Sequence, residues 1–151
     1  MNLPYVAVDT NILVYAHNRT ANWHAGAVEC LNRLAGSGLP WAIPWPCIHE
    51  FLAVVTNPRL VQDRGNLDQA IAQMDEWQRA PTLQCIGELN LHWTDLKQLL
   101  LRGRIQGGAV HDARIATICL EHGVSELWTA DRDFQRFPSL RVRNPLVELA
   151  Q

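Results

Sequence analysis

Long apolar runs, paired cysteines and lysine are what this sequence lacks. No apolar stretch in its 151 residues approaches the ~18 that a membrane span needs, and Met1-Asn2-Leu3-Pro4 has neither the basic start nor the long apolar segment of a signal peptide. A soluble, cytoplasmic protein with no membrane partner is the expectation. Cys30, Cys47, Cys85 and Cys119 lie 17, 38 and 34 residues apart, with no CxxC pair and no tight Cys/His cluster. That argues against zinc and for four buried thiols. Asn18-Arg19-Thr20 matches a glycosylation sequon, which without secretion reads as chance.

An excess of one charge is missing as well. Thirteen Lys and Arg face 15 Asp and Glu, a net charge of -2, so there is no basic footprint for nucleic acid. The sum changes if four of the acids form one metal site, because the remaining 11 then face 13 cations. Lys97 is the single lysine, and the arginine richness reads equally well as compositional bias and as function. What is present is an ordinary globular composition, 48% apolar and 19% charged with nine Gly and eight Pro. The expectation is one domain over 1–151, large enough to bury roughly 70% of the unfolded chain's surface without disulfides or a structural metal.

Apolar periodicity gives the order of elements. Tyr5-Val6-Ala7-Val8 reads as a strand that stops at Asp9 and gives way to a helix through Ile12–Ala16. Residues 22–35 carry Trp23, Ala27, Leu31, Leu34 and Ala35 at helical spacing, with a stop near Gly36 and Gly38. Trp41-Ala42-Ile43 is a strand, a helix runs from about Cys47 to Thr56, and Asn57-Pro58 breaks it. Residues 58–66 are polar and turn-like. Beyond them come a helix through Leu67–Trp77, a strand over Leu83–Ile86, a helix over Leu91–Leu101 and a loop over Gly103–Gly108. A helix over Ala109–His122 with Gly123 as its terminator, and short strands over Glu126–Thr129 and Leu140–Val142, complete the chain. Such alternation predicts a three-layer α/β/α sandwich around a mostly parallel sheet. Ligands in such folds sit beyond the C-terminal ends of the strands, so carboxylates there are the ones to weigh.

Asp9 follows the first strand, Glu50 lies on the third helix, Asp112 opens a later helix, and Asp131 and Asp133 follow the strand ending at Thr129. Taken singly, each has a structural explanation as a cap, a turn residue or a dipole partner. Asp112 resists it best: it shares a helical face with Ile115, Ala116 and Cys119, opposite Arg114, Thr117 and Glu121, so a carboxylate is aimed along the buried side. Glu50 is undecided, because its helix is apolar on two sides. Carboxylates that converge repel one another, and hard divalent cations relieve this; oxygen-only ligands favour Mg²⁺ or Mn²⁺ over zinc or copper. Two such ions suit the in-line displacement of a phosphodiester with a metal-activated water as nucleophile.

Four fragments in order carry a family likeness. Val8-Asp9-Thr10-Asn11-Ile12-Leu13-Val14-Tyr15-Ala16, His49-Glu50-Phe51-Leu52, Gly107-Gly108-Ala109-Val110-His111-Asp112-Ala113-Arg114-Ile115-Ala116 and Leu127-Trp128-Thr129-Ala130-Asp131-Arg132-Asp133-Phe134 resemble PIN-domain ribonucleases, above all the VapC toxins of bacterial toxin-antitoxin pairs. The resemblance implies a PIN-like α/β/α fold and a Mg²⁺- or Mn²⁺-dependent endoribonuclease site in which Asp9, Glu50, Asp112 and Asp131 are the acidic quartet and metal ligands. Asp133 stands as the alternate fourth ligand, and Asn11 and Thr129 match supporting polar positions. The resemblance also implies an RNA substrate, a homodimer and a cognate antitoxin.

His111, Arg114, Arg132 and Arg136 are candidates for RNA phosphates, against the simpler reading of solvated or ion-paired side chains. Among the six tryptophans, Trp45 between two prolines is the one to test for base stacking; core or partner contacts explain most of the others. Two other functions compete with the nuclease. A Mg²⁺-dependent phosphatase working through an aspartyl-phosphate wants a second Asp two residues after the first, where this sequence has Asn11. An inactive RNA- or protein-binding PIN module would not require the acids to be intact.

Overall fold

The computed structural model describes residues 4–59 and 66–149. Met1–Leu3, and residues 60–65 of the expected polar turn, lie outside the described residues. Five short strands form one parallel sheet: β1 (Val6–Val8), β2 (Trp41–Pro44), β3 (Leu83–Ile86), β4 (Glu126–Trp128) and β5 (Arg141–Arg143), in the order β3-β2-β1-β4-β5. The three central strands are buried along their whole length, as expected of parallel strands covered on both faces. Edge strand β5 instead exposes Arg141 and Arg143.

Among the described residues seven helices surround the sheet. α1 (Thr10–His17) packs against both α2 (His24–Gly36) and α3 (Trp45–Val55), α3 against α4 (Asn66–Gln78) and α7 (Pro145–Leu149) against α2; α5 (His92–Gly103) and α6 (Ala109–Glu121) pack against each other as a separate pair. The expected three-layer α/β/α architecture is the one observed. Trp41, Phe51, Ile12, Leu13, Ile43, Ile118 and Leu127 are fully buried at its centre. The chain moves outward from β1 through β2 to β3, then returns to β4 on the other side of β1. The strand order therefore reverses between β1 and β4, where parallel sheets open a crevice at their carboxyl ends. Register puts Val8 opposite Trp128, so Asp9 and Thr129 emerge side by side.

Several elements differ from the sequence reading. α3 starts at Trp45, ahead of the expected Cys47, because Pro46 falls in the first turn, where a missing N–H leaves no helical bond unmade. Thr117, expected opposite the buried side of α6, is buried: α5 covers that side, and the hydroxyl donates to the Ala113 carbonyl at 2.7 Å. Of the four cysteines, all free, Cys85 is only half-buried, because β3 lies at the sheet edge. The short helix α7 and a 3-10 turn over Arg132–Arg136 were not anticipated. Gly123 does terminate α6, with φ +73°, a left-handed conformation that costs glycine little.

Candidate active site

Asp9 leaves β1 in extended conformation and caps α1, accepting from the Thr10 backbone N–H at 2.8 Å. It is 4% exposed, and three further donors reach it: Thr129 Oγ1 at 2.7 Å, Asn11 Nδ2 at 3.3 Å and Cys47 Sγ at 3.4 Å. Burial raises the Asp9 pKa, and the Thr129, Thr10 and Cys47 hydrogen bonds oppose that rise. Burial, followed by the nearby Asp9 charge, keeps the Cys47 thiol protonated.

A small polar clamp joins the two strand ends. Thr129 Oγ1 donates to Asp9 and accepts from Asn11 Nδ2 at 3.0 Å and from the Asp131 N–H at 2.9 Å, which occupies its one proton and two lone pairs. Asn11 Oδ1 accepts the Ala130 N–H at 3.0 Å. The path of the chain after β4 is thereby tied to α1, and Asp131 is set at the mouth of the crevice. Its Oδ1 accepts the Asp133 N–H at 2.8 Å and caps the 3-10 turn.

Asp112, in the first turn of α6, comes to the same place from the other layer. Its carboxylate oxygen and one each from Asp131 and Asp133 lie within 4.8 Å of one another. Its pKa is pushed up to about 6, first by burial and then by Asp131, Asp9 and Asp133, with Arg136 opposing. Glu50 is exposed on α3 and accepts from Thr10 Oγ1 at 3.1 Å. Asp9, Glu50, Asp112 and Asp131 line one open cleft of about 250 Å³, along with Thr10 and Asn11. The helical wheel left Glu50 unresolved; the structure turns it to the cleft. Oxygen donors this close, with burial and then mutual repulsion raising one pKa, fit a hard divalent cation.

Comparison with known proteins decides the family. The PIN-domain family model matches residues 6–140. The chain belongs to the PIN-domain family. Ribonuclease VapC48 of Mycobacterium tuberculosis is 30% identical to it over 138 residues, covering 91% of this chain and 94% of that protein. Ribonuclease VapC43 of the same species is 34% identical over 141 residues, covering 93% and 95%. Among solved structures, VapBC2 from Rickettsia felis, bound to a promoter DNA fragment, has the same fold with a TM-score of 0.68 and 22% identity, covering 93% of this chain and 98% of that chain. VapC20 of M. tuberculosis, described as a sarcin-ricin loop cleaving toxin, matches with a TM-score of 0.63 and 15% identity over 86% and 92% of the two chains.

The remaining candidates of this PIN domain divide by position. Arg114 is held by Glu88, Nε to Oε1 at 2.5 Å, and so is ion-paired. His111 and Arg132 are exposed beside Asp112 and Asp131 in sequence. Arg136 donates through Nε to the Asp133 carbonyl at 3.0 Å and reaches its carboxylate at 3.8 Å. Trp45 is 42% exposed, with its ring 6.1 Å from that of His49. Thr10 and Cys47 escaped the sequence reading, although Cys47, one turn before Glu50 on the same helix, was there to be noticed.

Proposed function

We propose that this PIN domain, one unit over residues 1–151, is a Mg²⁺- or Mn²⁺-dependent endoribonuclease of the VapC type, the toxin of a toxin-antitoxin pair. The observation that carries the reading is the convergence of Asp112, Asp131 and Asp133, with Asp9 and Glu50 lining the same cleft. The ribonuclease names of the relatives and the VapBC titles of the structural neighbours support the substrate class and a protein antitoxin. A homodimer and a cytoplasmic location belong to the same reading; among the described residues no helix is long and apolar enough to cross a membrane.

Asp9, Glu50, Asp112 and Asp131 are the residues that would hold the ion, with Asp133 as an alternate to Asp131. Bound there, a divalent cation supplies positive charge that favours ionisation of an attacking water and offsets charge building on the phosphodiester. The chain's own part is to hold the acids ready. Thr129 and Asn11 fix Asp9 against Asp131, and Thr10 orients Glu50. His111 and Arg132 meet the phosphates that flank the cut, where a guanidinium matches phosphate geometry. Arg114, engaged by Glu88, comes after them. Asn11 does not favour the aspartyl-phosphate alternative, since its amide bonds to Thr129, Asp9 and Ala130 and does not act as an acid or base near neutral pH.

The test is purified protein with structured RNA and Mn²⁺, with and without chelator. Discrete products that vanish in chelator, in Asp9→Ala and in Asp112→Asn are expected. Cleavage that survives in both variants would refute the site; an RNA left intact by wild type, yet bound, would favour the inactive module.

A further inference from the structure

The Asp9 carboxylate receives two donors on each oxygen, Thr10 N and Cys47 Sγ on Oδ1, Thr129 Oγ1 and Asn11 Nδ2 on Oδ2. Three of these donors come from the chain next to Asp9 or from the neighbouring strand end. The fourth, the Cys47 thiol, comes from α3, the helix that also carries Glu50.

We propose that Cys47 is a positioning residue of the active site, its S–H holding the Asp9 carboxylate in orientation and at a set distance from the helix that bears Glu50. The proposal rests on the metal-site reading above. Cys47 is 0% exposed and Asp9 is 4% exposed, so the thiol does not compete with bulk water for the carboxylate. An aliphatic side chain would fill the same space, and what it would lack is the donor, which matters to a buried carboxylate. The bond ties the start of α1 to α3, and a second runs beside it. That second bond runs from Thr10 Oγ1 to Glu50 Oε2, one helical turn along α3 from Cys47. Adjacent residues 9 and 10 thus grip residues 47 and 50, and together the two bonds fix where the Asp9 and Glu50 carboxylates stand in the cleft. With the thiol bond gone, Oδ1 keeps the Thr10 N–H alone, and α3 is held at the cleft by Thr10 Oγ1 alone among the hydrogen bonds described between these elements.

Threonine and valine have the same shape and differ in one hydroxyl, so Cys47→Thr and Cys47→Val share any crowding and separate the donor from the packing. Mn²⁺ affinity is read from the metal dependence of the melting temperature, and cleavage kinetics are run in parallel. Cys47→Val should bind Mn²⁺ about tenfold more weakly than Cys47→Thr, the scale of losing a partner that orients a metal ligand. Cys47→Thr should stay within about threefold of wild type, and kcat should follow the same order. The pair Cys47→Ser and Cys47→Ala, which leaves space rather than filling it, should repeat the order. Equal Mn²⁺ affinity within both pairs, with wild type responding to Mn²⁺, would show Cys47 to be packing only and overturn the proposal while sparing the metal site. A wild type indifferent to Mn²⁺ would overturn both.

Discussion

The two ends of β4 treat carboxylates in opposite ways. At its first residue, Glu126 is 4% exposed and surrounded by donors: Trp128 Nε1 at 2.8 Å, Arg143 at 3.4 Å and Arg141 at 3.8 Å. Both arginines come from β5, whose register sets Arg141 against Glu126 and Arg143 against Trp128, with the Arg143 guanidinium over the indole ring. Past the last residue of the same strand, Asp131 meets Asp112 and Asp133, and the opposing charge at Asp112 comes from Arg136 against three acids. One end balances its buried charge inside the protein. The other leaves an excess, which is what a site for a cation from outside requires. Burial of an acid is therefore no guide to function here; the account of its counter-charge is.

Removing a carboxylate from each end breaks the comparison most sharply. Asp112→Asn should cut RNA cleavage on the order of 100-fold or more, the scale of deleting a charge-stabilising group from an active site. It should also abolish most of the rise in melting temperature that Mg²⁺ or Mn²⁺ produces by binding the native state. Glu126→Gln, measured in the same assays, should leave both within about twofold. A metal response that persists in Asp112→Asn would contradict the contrast. The neutral group between the acids is the next largest lever. Thr129→Val removes the hydroxyl that bonds Asp9 and the Asp131 N–H, and metal affinity should fall roughly 10- to 100-fold. Unchanged affinity would mean that the carboxylates hold themselves in place.

The layer order and the strand-end acids were legible because both follow from local pattern: apolar runs of strand or helix length, and a carboxylate just past them. Asp112 was legible for the same reason, since it breaks an otherwise apolar helical face. Glu50 was not, because α3 is buried on more than one side and a helical wheel cannot say which neighbour lies beyond each side. Asp131 and Asp133 differ in local setting through a 3-10 turn that Asp131 itself caps, a matter of hydrogen bonding rather than spacing. The partners of Glu126 were invisible for another reason: they depend on the register between β4 and β5, which a single sequence does not display.

Stability should separate the two ends in the reverse sense. Glu126→Ala removes one partner each from Arg141 and Arg143 and strands the Trp128 N–H, and both arginines keep contact with water, at 82% and 42% side-chain exposure. The loss is accordingly below that of a fully buried pair, about 1–2 kcal/mol. A denaturant titration in chelator should show it as a lower midpoint with unchanged slope. Asp112→Asn in chelator should leave the midpoint level or raise it, because the variant removes a repelled charge. A greater loss for Asp112→Asn than for Glu126→Ala would reverse the assignment of which end is structural.

The smallest expected effect is one of pH. The Asp112 carboxyl is raised from its usual 3.8 to about 6 in the folded chain, and Asp9 is raised as well, so the native state binds these protons more tightly than the unfolded state does. For a raised acid, the stabilising share is present below the unfolded value and lost as pH climbs through the folded one. In chelator, the melting temperature should therefore rise by a few degrees as pH is lowered from 7 to 5. Glu88, lowered by its bond to Arg114, acts in the other direction but titrates below 4.5, outside that window. Saturating Mg²⁺ should flatten or invert the slope, since the ion competes with the proton for the same oxygens. Asp112→Asn should flatten it without metal, whereas Glu126→Gln should keep it. A melting temperature that falls between pH 7 and pH 5 in chelator would mean that the acids beyond β4 are already neutralised from within, as Glu126 is, and the distinction between the two ends of the strand would disappear.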